Sequence, residues 1–80
     1  MKQAIRQNGV TIMTSPENAS CNMIFCNLTG KNFGGKEYEL YVKMMLSEFP
    51  NLTYGEIELW EDGKLKDKGN ITKYLKNIKS

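Results

Sequence analysis

Polar and apolar residues alternate through residues 4–13, AIRQNGVTIM, around a break at Asn8-Gly9. Period-two alternation marks a half-buried strand, and Asn-Gly suits a two-residue turn with positive φ at both positions. The segment predicts a β-hairpin that sets Ile5 opposite Ile12 and Gln7 opposite Val10. A polar loop follows at residues 16–20. Residues 22–28, NMIFCNL, are apolar on both sides of a two-residue period, with Ile24, Cys26 and Leu28 on one and Met23 and Phe25 on the other. Such a run predicts a strand at the centre of a sheet.

At residues 36–49 the period changes to that of a helix. Tyr38, Tyr41, Val42, Met45, Leu46 and Phe49 fall at i, i+3, i+4, i+7, i+8 and i+11, which is one buried stripe. Glu37 and Glu39 complement the positive end of the helix dipole, and Pro50 ends the helix by Phe49. Leu40 and Met44 break the pattern. At about 100° per residue they point away from the stripe, one turn apart, beside Lys43 and Ser47.

A second hairpin is expected in GEIELWEDGKLKDKG, residues 55–69. A two-residue Asp62-Gly63 loop would pair Leu59 with Lys66 and Ile57 with Lys68, mixing lysines into the apolar face. A three-residue loop of Glu61, Asp62 and Gly63 pairs Leu59 with Leu65, Glu58 with Lys66, Glu56 with Lys68 and Trp60 with Lys64. That register makes one face apolar and the other a ladder of opposite charges ending in a cation–π contact. Asn70 then reads as the N-cap of a last helix in which Ile71, Tyr74, Leu75 and Ile78 face inward. The expectation is a single α+β domain over residues 1–80 in the order βββαββα. Two hairpins and a central strand form a small, mostly antiparallel sheet, with two helices on one face.

Composition adjusts this picture in three ways. Apolar residues at 40% and charged residues at 25% are ordinary globular values, in a chain near the lower size limit for a self-sufficient core. The apolar runs are far shorter than the roughly 20 residues a membrane helix needs, and no signal-peptide pattern opens the chain. A cytoplasmic setting is therefore expected. Net charge is +2 but unevenly spread. Residues 37–62 carry seven carboxylates against Lys43, whereas residues 63–80 carry six lysines against Asp67. Opposite blocks of this kind are expected to neutralise each other in the fold.

Three chemistries can be weighed from the residues. GKNFGGKE, residues 30–37, fits the phosphate-loop spacing G-x-x-x-x-G-K, but Glu37 stands where a metal-binding hydroxyl is required. Gly30, Gly34 and Gly35 are expected to turn a strand into the following helix. Cys21 and Cys26 are five apart, a spacing that neither strand nor helix brings within disulfide or metal-sharing reach. The chain contains no histidine, and two thiols alone do not fill a zinc site, so no metal or other cofactor is expected. GVTIMTSP followed by cysteines, together with the closing EIELWEDGKLKDKGNITKYL, resembles the opening strand and closing hairpin-helix of a glutaredoxin. The resemblance implies a thiol-exchange domain. The C-x-x-C pair is replaced by the five-residue spacing, and no redox residue carries over.

Surface chemistry is what the sequence offers. Leu40, Lys43 and Met44 form an outward apolar patch bordered by charge, and Trp60 is a frequent interface anchor. The first expectation is a non-catalytic protein-interaction module that binds another protein or itself. In size and composition it resembles small accessory or inhibitory proteins such as phages carry. The second expectation is single-stranded nucleic acid bound on an open sheet face, with Trp60 stacking bases and Lys64 and Lys66 meeting phosphates.

Overall fold

The computed structural model describes residues 2–15, 20–32 and 34–72. Two tight turns build its sheet. Asn8 and Gly9 have φ of 53° and 79°, and Asp62 and Gly63 have φ of 52° and 80°. This is the two-residue turn whose twist matches antiparallel strands. The first turn joins β1 (Gln3–Gln7) to β2 (Val10–Thr14), and the second joins β3 (Gly55–Glu61) to β4 (Lys64–Ile71). Between the hairpins lie two helices, α1 (Asn22–Leu28) and α2 (Gly35–Glu48). The strands are antiparallel in the order β2-β1-β3-β4, so the first strand of each hairpin meets its counterpart at the centre.

Each hairpin carries a one-residue bulge at the same distance from its turn. In the first, Gln7 pairs with Val10 and Arg6 with Thr11, then Ile12 is skipped and Ile5 pairs with Met13. In the second, Glu61 pairs with Lys64 and Trp60 with Leu65, then Lys66 is skipped and Leu59 pairs with Asp67. Ile5 pairs with Leu59 across the central seam, between Arg6·Glu58 and Ala4·Trp60. The two hairpins are thus related by a local two-fold through the Ile5·Leu59 pair.

The bulges correct both expected registers. Ile5 lies opposite Met13, not Ile12, and the second loop has two residues, not three. Sequence pattern excludes lysine opposite Leu59, and lengthening the turn is one way to achieve that. The structure keeps the short turn and makes the one-residue shift inside the strand. Glu58 consequently faces Lys68, and Glu56 faces Asn70.

One face of the sheet is covered. Ile5, Ile57, Leu59 and Ile71 point into a single core with Cys21, Phe25, Leu28, Tyr38, Val42, Met45 and Leu52. The α2 stripe is as expected, with Tyr38, Val42 and Met45 buried and Tyr41, Leu46 and Phe49 packed against them. The expected α+β class therefore stands: an antiparallel sheet of two hairpins with two helices. Residues 22–28, however, form α1 and not a central strand. Cys21, Phe25 and Leu28, at i, i+4 and i+7, are its buried side, while Met23 is 65% exposed. An apolar run of seven residues satisfies either period, and here the two hairpins pair directly at β1·β3. Asn70 is a residue of β4, not a helix cap, and Ile71, expected as the first inward residue of the last helix, ends the same strand; the rest of that expected helix, at residues 73–80, lies outside the described residues.

Buried polar groups tie the layers together. Gln3 accepts at Oε1 from the Cys21 N–H (2.7 Å) and the Ser20 hydroxyl, and donates from Nε2 to Glu61 (3.1 Å). Gln7 holds the loop after α2, donating to Thr53 O (2.7 Å) and accepting from the Thr53 N–H (2.9 Å). The helix layer meets β4 at Gly69. A Cβ there would lie 3.0 Å from Thr29 Cβ and nearer still to its methyl, so only glycine lets α1 sit this close.

Candidate interaction surfaces

With the stripe of α2 turned inward, its outer side presents Leu40 and Met44, 58% and 49% exposed. Beside them Lys43 Nζ lies 3.6 Å from Glu39 Oε2, one turn earlier. Leu40, Lys43 and Met44 therefore share one patch, apolar at its centre and charged at its border. It lies on the opposite side of the molecule from the uncovered sheet face.

That face, uncovered among the described residues, is built from the outward residues of all four strands. Ala4 and Arg6 lie across from Trp60 and Glu58 at the seam, with Thr11 and Thr14 on one flank and Leu65 and Lys68 on the other. The Arg6 guanidinium stacks over the Trp60 ring, 5.3 Å from its centroid, and donates from Nη2 to Gly9 O (2.8 Å). Trp60 donates from Nε1 to Glu58 Oε1 (2.9 Å). Above the small Ala4 side chain these groups leave a shallow pocket of about 210 Å³, bordered by Lys2, Thr14 and Asp62.

The expected lysine partner of Trp60 is thus replaced by Arg6. The bulge turns Leu65 toward Trp60 and leaves Lys66 to approach Glu61 (3.2 Å), while Lys64 pairs across from Glu61 in the ladder. Phe25 and Cys26 belong to α1, on the covered side of the sheet. Arg6 is not among the residues that the sequence pattern singles out. Its contact with Trp60 required knowing that β1 and β3 are adjacent, which no local pattern shows.

The glycine loop joins two helices, not a strand and a helix. Gly30 has φ of 81° and the Lys31 N–H donates to Cys26 O (2.9 Å), closing α1. Lys31 extends to Asp67 on β4 (3.1 Å) and lies 5.9 Å from the Phe25 centroid. The strand that a phosphate loop requires before its glycines is absent at 22–28. Both cysteines are free. Burial raises the pKa of the Cys21 thiol, partly opposed by a hydrogen bond with Ser15, so the thiol stays protonated at neutral pH. Among the described residues no group of three or more acidic, cysteine or histidine side chains is placed to hold a metal, and no helix is long and apolar enough to cross a membrane.

Among the described residues, a four-stranded sheet with one face under two helices, an open opposite face and an apolar patch on α2 defines a small α+β domain. The chain belongs to the family described as Domain of unknown function (DUF7688), which matches residues 2–72. The matched region ends one residue past β4, so it spans both hairpins and both described helices. No curated protein and no solved structure matches the chain.

Proposed function

We propose that this domain is a non-catalytic protein-binding module, an accessory or inhibitory protein that docks on a larger partner through the outer side of α2. The carrying observation is the pair Leu40 and Met44, about half exposed one turn apart on a helix whose inner stripe is fully used by the core. Complete burial of such a side chain is worth roughly 1.5–3 kcal/mol. The partner surface that fits is an apolar groove with charges of both signs at its rim, to meet Lys43 and Glu39. The absence of histidine from the sequence and the protonated, buried Cys21 thiol support a role without catalysis. Two free cysteines accord with a reducing, cytoplasmic setting.

The test is capture of the partner by the tagged protein from native lysate, with and without nuclease, followed by a titration of the recovered complex. Leu40→Glu with Met44→Glu should leave the melting curve intact and lower affinity at least about tenfold. Equal affinity in the double variant would remove this face from consideration.

The open sheet face supports a second reading, binding of single-stranded nucleic acid by Trp60 with Arg6 and Lys68; Lys64 and Lys66, expected on that face, lie instead on the side of Glu61, which bonds Gln3 toward the helix layer. It ranks lower on two observations: Arg6 already covers one side of the ring, and Glu56 and Glu58 share the face. Recovery that disappears with nuclease, and salt-sensitive binding weakened by Trp60→Ala, would reverse the ranking.

A further inference from the structure

The sheet has two edges of opposite character. On β4, Lys64, Lys66 and Lys68 punctuate the strand, the charge pattern that keeps an edge from pairing with another chain. On β2, VTIMT, there is no charge, and four of its residues are Val, Ile or Thr, which favour strands. Among the described residues, what interrupts the β2 edge is its bulge. The geometry of that bulge also determines what can pair with it.

Main-chain direction along β2 follows from its partners. Val10 closes the two-residue turn with Gln7, so its N–H and C=O face β1. Met13 pairs with Ile5, and the Ser15 N–H donates to Gln3 O (2.9 Å), so these two also face inward. The outward-facing residues are Thr11 and Thr14. They are three positions apart, because Ile12 is the extra residue. A regular strand presents bonding groups every second residue and cannot match that spacing. A strand with the same bulge, running antiparallel, can.

We propose that β2 is a homodimerisation edge, on which a second copy of this chain pairs antiparallel through its own β2. Thr11 lies opposite Thr14 of the second copy, and Thr14 opposite Thr11 of the second copy. The two bulges face each other across the two-fold axis. Thr11 and Thr14 pair with Arg6 and Ala4, so both side chains stand on the open face and the facing threonines meet on the same side of the joined sheet. The result is a continuous eight-stranded sheet in the order β4-β3-β1-β2, then the same order reversed. Its outer edges are the two lysine-bearing β4 strands, which do not extend it further. The outer sides of both α2 helices stay free, so this edge is independent of the docking face proposed above.

Sedimentation velocity of the full chain over a wide concentration range tests the proposal, with melting curves to confirm that each variant folds. The wild type should show a concentration-dependent monomer–dimer equilibrium. Thr11→Lys with Thr14→Lys places like charges opposite each other twice and should weaken dimerisation by about tenfold or more. Thr11→Lys with Thr14→Glu places opposite charges in the same two pairs and should restore it. Amide hydrogen exchange gives an answer without substitution: protection at Thr11 and Thr14 should rise with concentration while Val10 and Met13 are protected throughout. A monomer at every concentration overturns the proposal. So does a dimer indifferent to the double lysine variant, one lost only in the Leu40→Glu, Met44→Glu variant, or exchange at Thr11 and Thr14 that ignores concentration.

Discussion

The Tyr38 hydroxyl joins two chain segments that meet only in the folded state. It donates to Leu28 O at the end of α1 (2.8 Å) and accepts from the Thr72 N–H beyond β4 (3.0 Å), in a fully buried position. Tyr38→Phe leaves the packing volume but strands both backbone groups. The expected cost is about 1–3 kcal/mol in urea denaturation; a change within error would mean that water replaces the phenol. Tyr38 itself is legible in the sequence as a stripe residue. Its hydroxyl partners are not, because both lie at element ends whose positions depend on tertiary packing. The same holds for Gln3 and Gln7, polar residues buried in β1 that satisfy loops many positions away.

Among the elements, legibility follows how many independent signals agree. For α2, the apolar stripe, the acidic first turn and Pro50 give one answer, and the helix lies within one residue of its expected bounds. Its outward pair, the core of the candidate site, was equally legible. The hairpins are announced by Asn8-Gly9 and Asp62-Gly63, whose conformation only glycine and a few short polar residues tolerate. Nothing lies within 4 Å of a Cβ built on Gly63, so Gly63→Ala tests backbone strain alone. It should cost roughly 1–2 kcal/mol by thermal or urea unfolding, with Gly63→Asn losing less. Equal stability of the alanine variant would show that the turn relaxes to another type. What pattern could not show was α1, where one signal fitted two periods, and the bulges, which move register without altering composition.

Across the whole molecule, the uneven charge of the sequence resolves into contact between β3 and β4. Glu58 pairs with Lys68, and Glu61 pairs with Lys64 and receives Lys66, so the acidic and basic blocks oppose each other within one hairpin. Two carboxylates bind residues outside this hairpin as well. The amide of Gln3, and then Lys66, hold the Glu61 pKa below its usual value; Lys31, and then the Lys68 N–H, do so for Asp67. A carboxylate whose folded pKa is lowered contributes stability that is complete at neutral pH and lost as pH falls through the folded value. The melting midpoint should therefore decline below about pH 4, and Asp67→Asn should flatten part of that decline. A midpoint unchanged from neutral to strongly acidic pH would exclude these contacts as contributors.

The local two-fold has a consequence for how the molecule assembles. Each hairpin closes over a two-residue turn, a contact that costs little chain entropy and forms within microseconds. The seam between them joins Ile5 to Leu59, 54 positions apart, with both helices in the intervening loop. Closing that loop carries the larger entropic cost and is repaid only when Phe25, Tyr38 and Val42 pack over the seam. The two local units are therefore expected to join into one sheet only as the helices pack, so the contact at the centre of the sheet is expected to form after those at its turns.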